Sequence, residues 1–124
     1  PVLCTFSFQT DGKAYFDGSA DEAAPALEAL GADAVGVNCA SGPEMLENVV
    51  RRMKNACGLP IIAKPNAGLP TISEQGEAVY ALTPDAFAAA MLPLADAGAS
   101  ILGGCCGTTP EHIAALRAAL DARA

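Results

Sequence analysis

Two cysteines stand side by side in GGCCGTTPEHI, Gly103 to Ile113, hemmed by glycines and followed at once by a helix-start signal. A third, Cys39, ends the apolar run DAVGVNC at 33–39. A buried structural thiol needs no such setting. Neighbouring cysteines close a disulfide only through a strained small ring, so a metal or a reactive thiol is the first reading. Three thiols match the donor number of a catalytic zinc, which keeps its fourth position open; a structural zinc takes four protein ligands. Zinc held by three thiolates is electron-rich and a modest Lewis acid. It suits the activation of an incoming thiol better than hydrolysis. Coordination strips the proton from that thiol and keeps the sulfur as a thiolate, which attacks soft electrophiles such as methyl groups.

Such chemistry needs elements that bring residue 39 and residues 105–106 to one place. Four short apolar runs lack clean alternation: PVLCTFSF (1–8), DAVGVNC (33–39), LPIIAKPN (59–66) and ASILGGCC (99–106). Strands buried on both faces of a parallel sheet read this way. Helical patterns follow each run. In GPEMLENVVRRMKNACG, Met45, Leu46, Val49, Val50, Met53 and Cys57 share one face, with Ser41 as the cap, Pro43 in the first turn and Gly58 at the stop. DEAAPALEALG and TPDAFAAAMLPLADAG are poorer helices, with Pro25 expected to delay or distort the first and Pro93 to kink the second. TPEHIAALRAALDAR starts with Thr109 as cap and Pro110 at the first helical position. ISEQGEAVY (72–80) interrupts the third unit as a surface loop or small hairpin.

The order is strand then helix, four times, with repeats about 30 residues apart, as in βα units of a parallel sheet with strand order 1-2-3-4. Ser7, Asn38 with Cys39, Lys64 with Asn66, and Cys105 with Cys106 all fall at C-terminal strand ends. That edge carries the active site in β/α barrels and open α/β sheets. Successive strand residues point to opposite faces, so Cys105 and Cys106 reach one metal only where the strand has ended. Gly103, Gly104 and Gly107 are expected to permit that backbone, and the next helix N-terminus to add positive potential beside the thiolates.

Composition excludes other classes. The 124 residues make one domain at most, 52% are hydrophobic, and the net charge of −7 with seven scattered Lys and Arg leaves no basic footprint for nucleic acid. No apolar run approaches a membrane span and no signal peptide is visible. Five irregularly spaced cysteines imply no disulfide framework, and the chain reads as cytoplasmic. It opens on Pro1 within a strand-like run, which points to a piece of something longer.

VGVNC, PNAGLP and GGCCGTTPEHI, in this order and spacing, resemble the homocysteine S-methyltransferase family. NCASGPE with KPNAGLP is most similar to the homocysteine-binding module of its cobalamin-dependent methionine synthases. The resemblance covers nearly the whole chain. It implies a TIM-type (β/α)8 barrel, of which these four βα units, residues 1–124, form the C-terminal half of the homocysteine-binding domain. It implies zinc on Cys39, Cys105 and Cys106, the homocysteine thiolate in the fourth position, and Asn66 near the amino-acid end of that substrate. The implied reaction is methyl transfer to homocysteine, giving methionine. Relatives take the methyl group from methylcobalamin, S-methylmethionine or betaine. The donor, methylcobalamin or methyltetrahydrofolate through other domains, is not bound by this segment. A barrel needs eight units and about 250 residues. The loop and acidic residues that hold the homocysteine carboxylate and amino group belong to the first half, which this segment lacks. The expected partners are homocysteine and either that missing half or a second copy.

Plainer readings stand beside these. Cys4 and Cys57 read as core, His112 as a surface or capping-region residue, Lys64 as a barrel-interior or rim residue, and Ser7 as structural at least as readily as a rim contact. Two rival functions are a non-catalytic zinc-binding fragment, which needs a fourth protein ligand, and a thiol redox protein using Cys105 and Cys106, which lacks the usual two-residue spacer.

Overall fold

The computed structural model describes residues 1–8, 19–39 and 42–123. Its elements run β1 (Leu3–Phe6), α1 (Ala20–Ala29), β2 (Ala34–Cys39), a 3-10 turn (Pro43–Met45), α2 (Glu47–Ala56), β3 (Ile61–Pro65), β4 (Pro70–Ile72), β5 (Ala78–Tyr80), α3 (Pro84–Ala97), β6 (Ala99–Leu102) and α4 (Pro110–Arg123). Four strands form one parallel sheet in the order β1-β2-β3-β6. This is the expected order of the four apolar runs. The architecture is α/β, a parallel sheet with four helices, compatible with part of a barrel. Residues 70–80 form an antiparallel hairpin of β4 and β5; of the surface loop and small hairpin read for 72–80, it is the hairpin.

The sheet buries one face against the helices. Val35, Val37, Ile61, Ala63 and Ala99 join Ala20 and Ala24 of α1, Val49, Val50 and Met53 of α2, and Phe87, Met91 and Leu94 of α3 in one apolar cluster. Burying each such large side chain contributes roughly 1.5–3 kcal/mol. Thr5, Gly36, Ile62 and Ile101 lie in register with one another on the other face, with Leu3 two residues before Thr5 on the same side of β1. Leu3 and Ile101 are 59% and 39% exposed there.

Local departures have local causes. The helix read from Gly42 to Gly58 divides into the 3-10 turn and α2. Leu46, Val49, Val50 and Met53 face the core as expected, but Met45 sits in the 3-10 turn and is exposed, and Cys57 is already extended at the C-terminal end. Ser41, expected as the cap, lies outside the described residues. Pro25 does not delay α1, which begins at Ala20. α3 continues through Pro93 to Ala97, held by Phe87, Ala88, Met91 and Leu94 in the core. Burial of that face outweighs the single backbone hydrogen bond that a mid-helix proline removes. Thr83 caps α3, its hydroxyl accepting from the Ala86 N–H at 3.2 Å, with Pro84 at the first helical position.

Candidate metal centre

Strand register sets the site. β2 pairs with β3 so that Asn38 lies opposite Lys64 and Cys39 opposite Pro65. Beyond the end of β6 the chain stays tied to β3: the Gly103 N–H donates to the Ala63 carbonyl at 3.0 Å, and the Cys105 N–H to the Pro65 carbonyl at 2.9 Å. Residues 39 and 105, 66 positions apart, thus arrive at neighbouring points on the same sheet edge. Ser7 ties β1 to that edge through its hydroxyl, which donates to the Asn38 carbonyl at 3.0 Å. Its role here is structural.

Cys39 takes a left-handed backbone conformation, with φ of 57°. A non-glycine residue there is strained, and such strain concentrates at functional sites. The turn ends β2 and places the Cys39 Sγ 3.0 Å from the Cys105 Sγ and 3.6 Å from the Cys106 Sγ. The Cys105 and Cys106 sulfurs are 4.0 Å apart. The three sulfurs therefore converge; they are not splayed. A tetrahedral zinc with Zn–S bonds of about 2.3 Å sets its sulfurs about 3.8 Å apart. The observed separations bracket that value, so these three side chains fit a metal of that kind. Among the described residues they are the one such group of potential ligands. The closest pair is Cys39 with Cys105, not the adjacent pair Cys105 and Cys106. Cys4 and Cys57 are free thiols outside the cluster, and Cys57 packs against the core.

Both adjacent cysteines are fixed through their backbone N–H and carbonyl groups. The Cys106 N–H donates to the Asn66 side-chain oxygen at 2.9 Å, and its carbonyl accepts from the Ala67 N–H at 3.0 Å. The Cys105 carbonyl accepts from both the hydroxyl and the N–H of Thr108, at 2.6 and 3.2 Å. Asn66 is itself buried, and its side-chain oxygen holds the Cys106 backbone. Two of the three flanking glycines are required by geometry. A Cβ at Gly104 would lie 2.4 Å from Thr108 Cγ2, and one at Gly107, where φ is 81°, would lie 2.2 Å from Tyr80 Cγ. Gly103 is different: a Cβ there would meet only the Lys64 stem, at an ordinary 3.4 Å. Lys64 is exposed at the rim, its stem along Gly103.

The thiols do not share protons equally. Donation to Cys105, then burial, then the Cys106 thiol push the Cys39 thiol up to about 12. At Cys105 burial works upward, but hydrogen bonds from Cys39 and from the Cys106 backbone outweigh it, and the thiol titrates below its ordinary value. Of this pair Cys105 gives up its proton the more readily, because the Cys39 thiol donates to it. Three thiolates together repel, and a divalent cation is the natural counter-charge.

The next helix helps less directly than expected. Its first-turn carboxylate, Glu111, is held below the usual range first by its own backbone N–H and then by the Thr109 hydroxyl, so an acidic side chain occupies the positive end of α4. His112 is in the capping region, as read, but it is buried, not on the surface. Its Nε2 lies 2.8 Å from the Leu82 carbonyl, which can only accept, while its Nδ1 receives the Thr109 N–H at 3.2 Å. The Nε2–H tautomer satisfies both. The ring meets Phe87 edge-on with centroids 5.5 Å apart. His112 thereby anchors α4 to the segment following the hairpin, in the manner of a capping box.

Tyr80, at the end of β5, is the neighbour that the sequence did not reveal. Its ring covers Gly107, and its hydroxyl is raised above its ordinary value by desolvation first and then by the Cys106 thiol, with smaller effects from Cys39 and Cys105. Nothing in its spacing marks it: it belongs to a short hairpin with no helical or strand repeat around the cysteines.

Comparison with known proteins agrees with this arrangement. A family model described as homocysteine S-methyltransferase matches residues 1–120. The chain is 39% identical over 121 residues, 97% of its length, to methionine synthases of Mycobacterium leprae (strain TN) and Mycobacterium tuberculosis (strain ATCC 25618 / H37Rv). It is 34% identical over 91 residues, 71% of its length, to homocysteine S-methyltransferase 4 of Zea mays. It spans 10% of the length of each mycobacterial relative and 26% of the maize one. With the match extending over both cysteine-bearing strand ends and the sheet that brings them together, the chain belongs to the homocysteine S-methyltransferase family.

Proposed function

We propose that this segment is the zinc-binding, C-terminal half of a homocysteine-binding (β/α)8 domain, and that the protein containing it transfers a methyl group to the thiol of homocysteine to give methionine. The observation that carries the reading is the convergence of the Cys39, Cys105 and Cys106 sulfurs at one sheet edge, within 4.8 Å of one another and with no fourth Cys, His, Asp or Glu ligand among the described residues. Three protein donors and an open fourth position are the pattern of a catalytic zinc.

Zinc, when bound, supplies a site at which the substrate thiol loses its proton and is kept as a nucleophilic thiolate. The chain's own part is to orient. Cys39 reaches the site from a strained strand end, and Cys105 and Cys106 from a loop pinned by Pro65, Asn66, Ala67 and Thr108. Asn66 lies at the amino-acid end of the bound homocysteine in this reading. The carboxylate and amino group of homocysteine are held by the first half of the domain, which covers the open sheet face, and the methyl donor is brought by parts of the protein outside this segment. A cytoplasmic setting, where thiols stay reduced, suits three ligating cysteines.

The test is metal stoichiometry and sulfur count in the full chain. One zinc per chain is expected, with X-ray absorption reporting three sulfur ligands without homocysteine and four with it, and labelled methyl groups recovered in methionine. Four protein ligands unchanged by homocysteine would favour the non-catalytic zinc fragment.

A further inference from the structure

One cation sits on the sheet face that the helices leave open. Lys64 has the parity of Ile62, opposite to the core residues Ile61 and Ala63. Its partner in register on β2 is Asn38, which has the parity of Gly36. On the other side the Lys64 stem runs beside Gly103, where a Cβ would lie 3.4 Å from Lys64 Cγ. Asn38, Lys64 and Gly103 thus form a row across the open face. It lies between the row of Gly36, Ile62 and Ile101 and the strand ends that carry the cysteines. The row is supplied with donors and lacks acceptors for them. Among the described residues the four ion pairs engage Arg51, Arg52, Arg117 and Arg123, each with a carboxylate from the helical layer. Neither the exposed Lys64 ammonium nor the side-chain amide of the half-buried Asn38 has a partner among those residues. In a chain of net charge −7 carboxylates are plentiful, yet none of the described ones reaches this face.

Covering the face changes the balance for Lys64. An ammonium enclosed without an anion is costly, and lysine is almost never fully buried unless paired. Adjacent strands lie about 4.8 Å apart, so an ammonium and an amide in register present two donors to the two oxygens of one carboxylate. We infer that Lys64, with Asn38 beside it, receives a side-chain carboxylate from the half of the domain that covers this face. That segment lies outside these residues, which span 10% of the length of each mycobacterial relative. The homocysteine carboxylate has the same chemistry, but in the reading above the covering half already holds it. The pair would join the two halves one row inside the metal centre. It would fix the cysteine-bearing strand ends against the loop that holds the substrate, which makes Lys64 a positioning residue rather than a catalytic one.

This inference rests on the half-domain reading, and the experiment separates the two. The full chain is treated, without substrate, with a water-soluble carbodiimide, which joins an amine to a carboxylate only where the two touch. It is treated separately with an acetylating reagent, and both products are read by peptide mass spectrometry. Expected are an amide link from Lys64 to an Asp or Glu of the covering half, and acetylation of Lys64 several-fold slower than that of Lys54, which is exposed on α2. Lys64→Met keeps the stem over Gly103 and should abolish the link. A slow Lys64 that forms no link overturns the ion pair and leaves the half-domain reading standing. A homocysteine adduct on Lys64, or protection that appears only when homocysteine is added, overturns it in favour of the substrate carboxylate. Acetylation of Lys64 as fast as Lys54 would mean that nothing lies against this face, and overturns the half-domain reading and this inference together.

Discussion

Among the five cysteines, exposure alone would not separate ligands from bystanders, because Cys4, Cys39, Cys57 and Cys105 are all half-buried. Position separates them. Cys39 is strained at a strand end and Cys105 is pinned to the next strand, whereas Cys57 packs against the core behind α2. Metal content therefore sorts them experimentally. Cys39→Ala should reduce zinc from one equivalent per chain to a small fraction, and Cys57→Ala should leave it at one. Atomic emission on dialysed protein reads both directly. Full zinc affinity retained by Cys39→Ala would disprove the three-thiolate site.

At the scale of elements, most of the order comes from apolar contact between each helix and the sheet, with a few polar ties between helices. The best formed is Arg52 of α2 on Asp21 of α1, whose guanidinium donates to both carboxylate oxygens at 2.8 to 3.2 Å. The Arg52 hydrogen bond, opposed by slight desolvation and aided by its charge, holds the Asp21 carboxyl below its ordinary 3.8. A carboxyl lowered on folding stabilises above its unfolded value, and that contribution is lost as pH falls through 3.8 and below. Because Asp21 is 52% exposed, solvent screens the pair and its worth is about 0.2–1 kcal/mol. Asp21→Asn should accordingly lower the urea midpoint slightly at neutral pH and be indistinguishable from wild type once the pH is well below the carboxyl's range. A gap between the two proteins that grew on acidification would contradict this origin.

For the whole molecule the uncovered sheet face is decisive. β1 and β6 end the sheet, and Leu3, Ile101 and the neighbouring Val2 are 59%, 39% and 55% exposed. Each apolar side chain left open forgoes about 1.5–3 kcal/mol, against a total of about 5–15 kcal/mol for a domain. Unpaired parallel edges also invite association. The 124-residue chain alone should therefore sediment as an associated species at micromolar concentration. Fusion to the preceding half of a family domain should return it to a monomer and raise homocysteine affinity. A compact monomer that unfolds cooperatively would show that the open face is tolerated at less cost than this.

The four strands, their order and the three cysteines were legible in the sequence because each rests on a local pattern: short apolar runs, helix-start residues, and chemistry-bearing side chains placed at strand ends. Gly104 and Gly107 were legible as necessary, though the reason was not, since what excludes a side chain at Gly107 is Tyr80, 27 positions upstream. Only the tertiary structure decided that Cys39 and Cys105 form the closest pair, that the Asn66 side-chain oxygen accepts from the Cys106 N–H, and that His112 is buried under the hairpin's exit. It also decided that α1 and α3 run on through Pro25 and Pro93. Propensity and periodicity describe neighbours along the chain. Distances between sulfurs, the partner of a buried amide and the balance between a missing backbone bond and a buried face depend on residues brought together by strand register. Those quantities exist only once the sheet has formed.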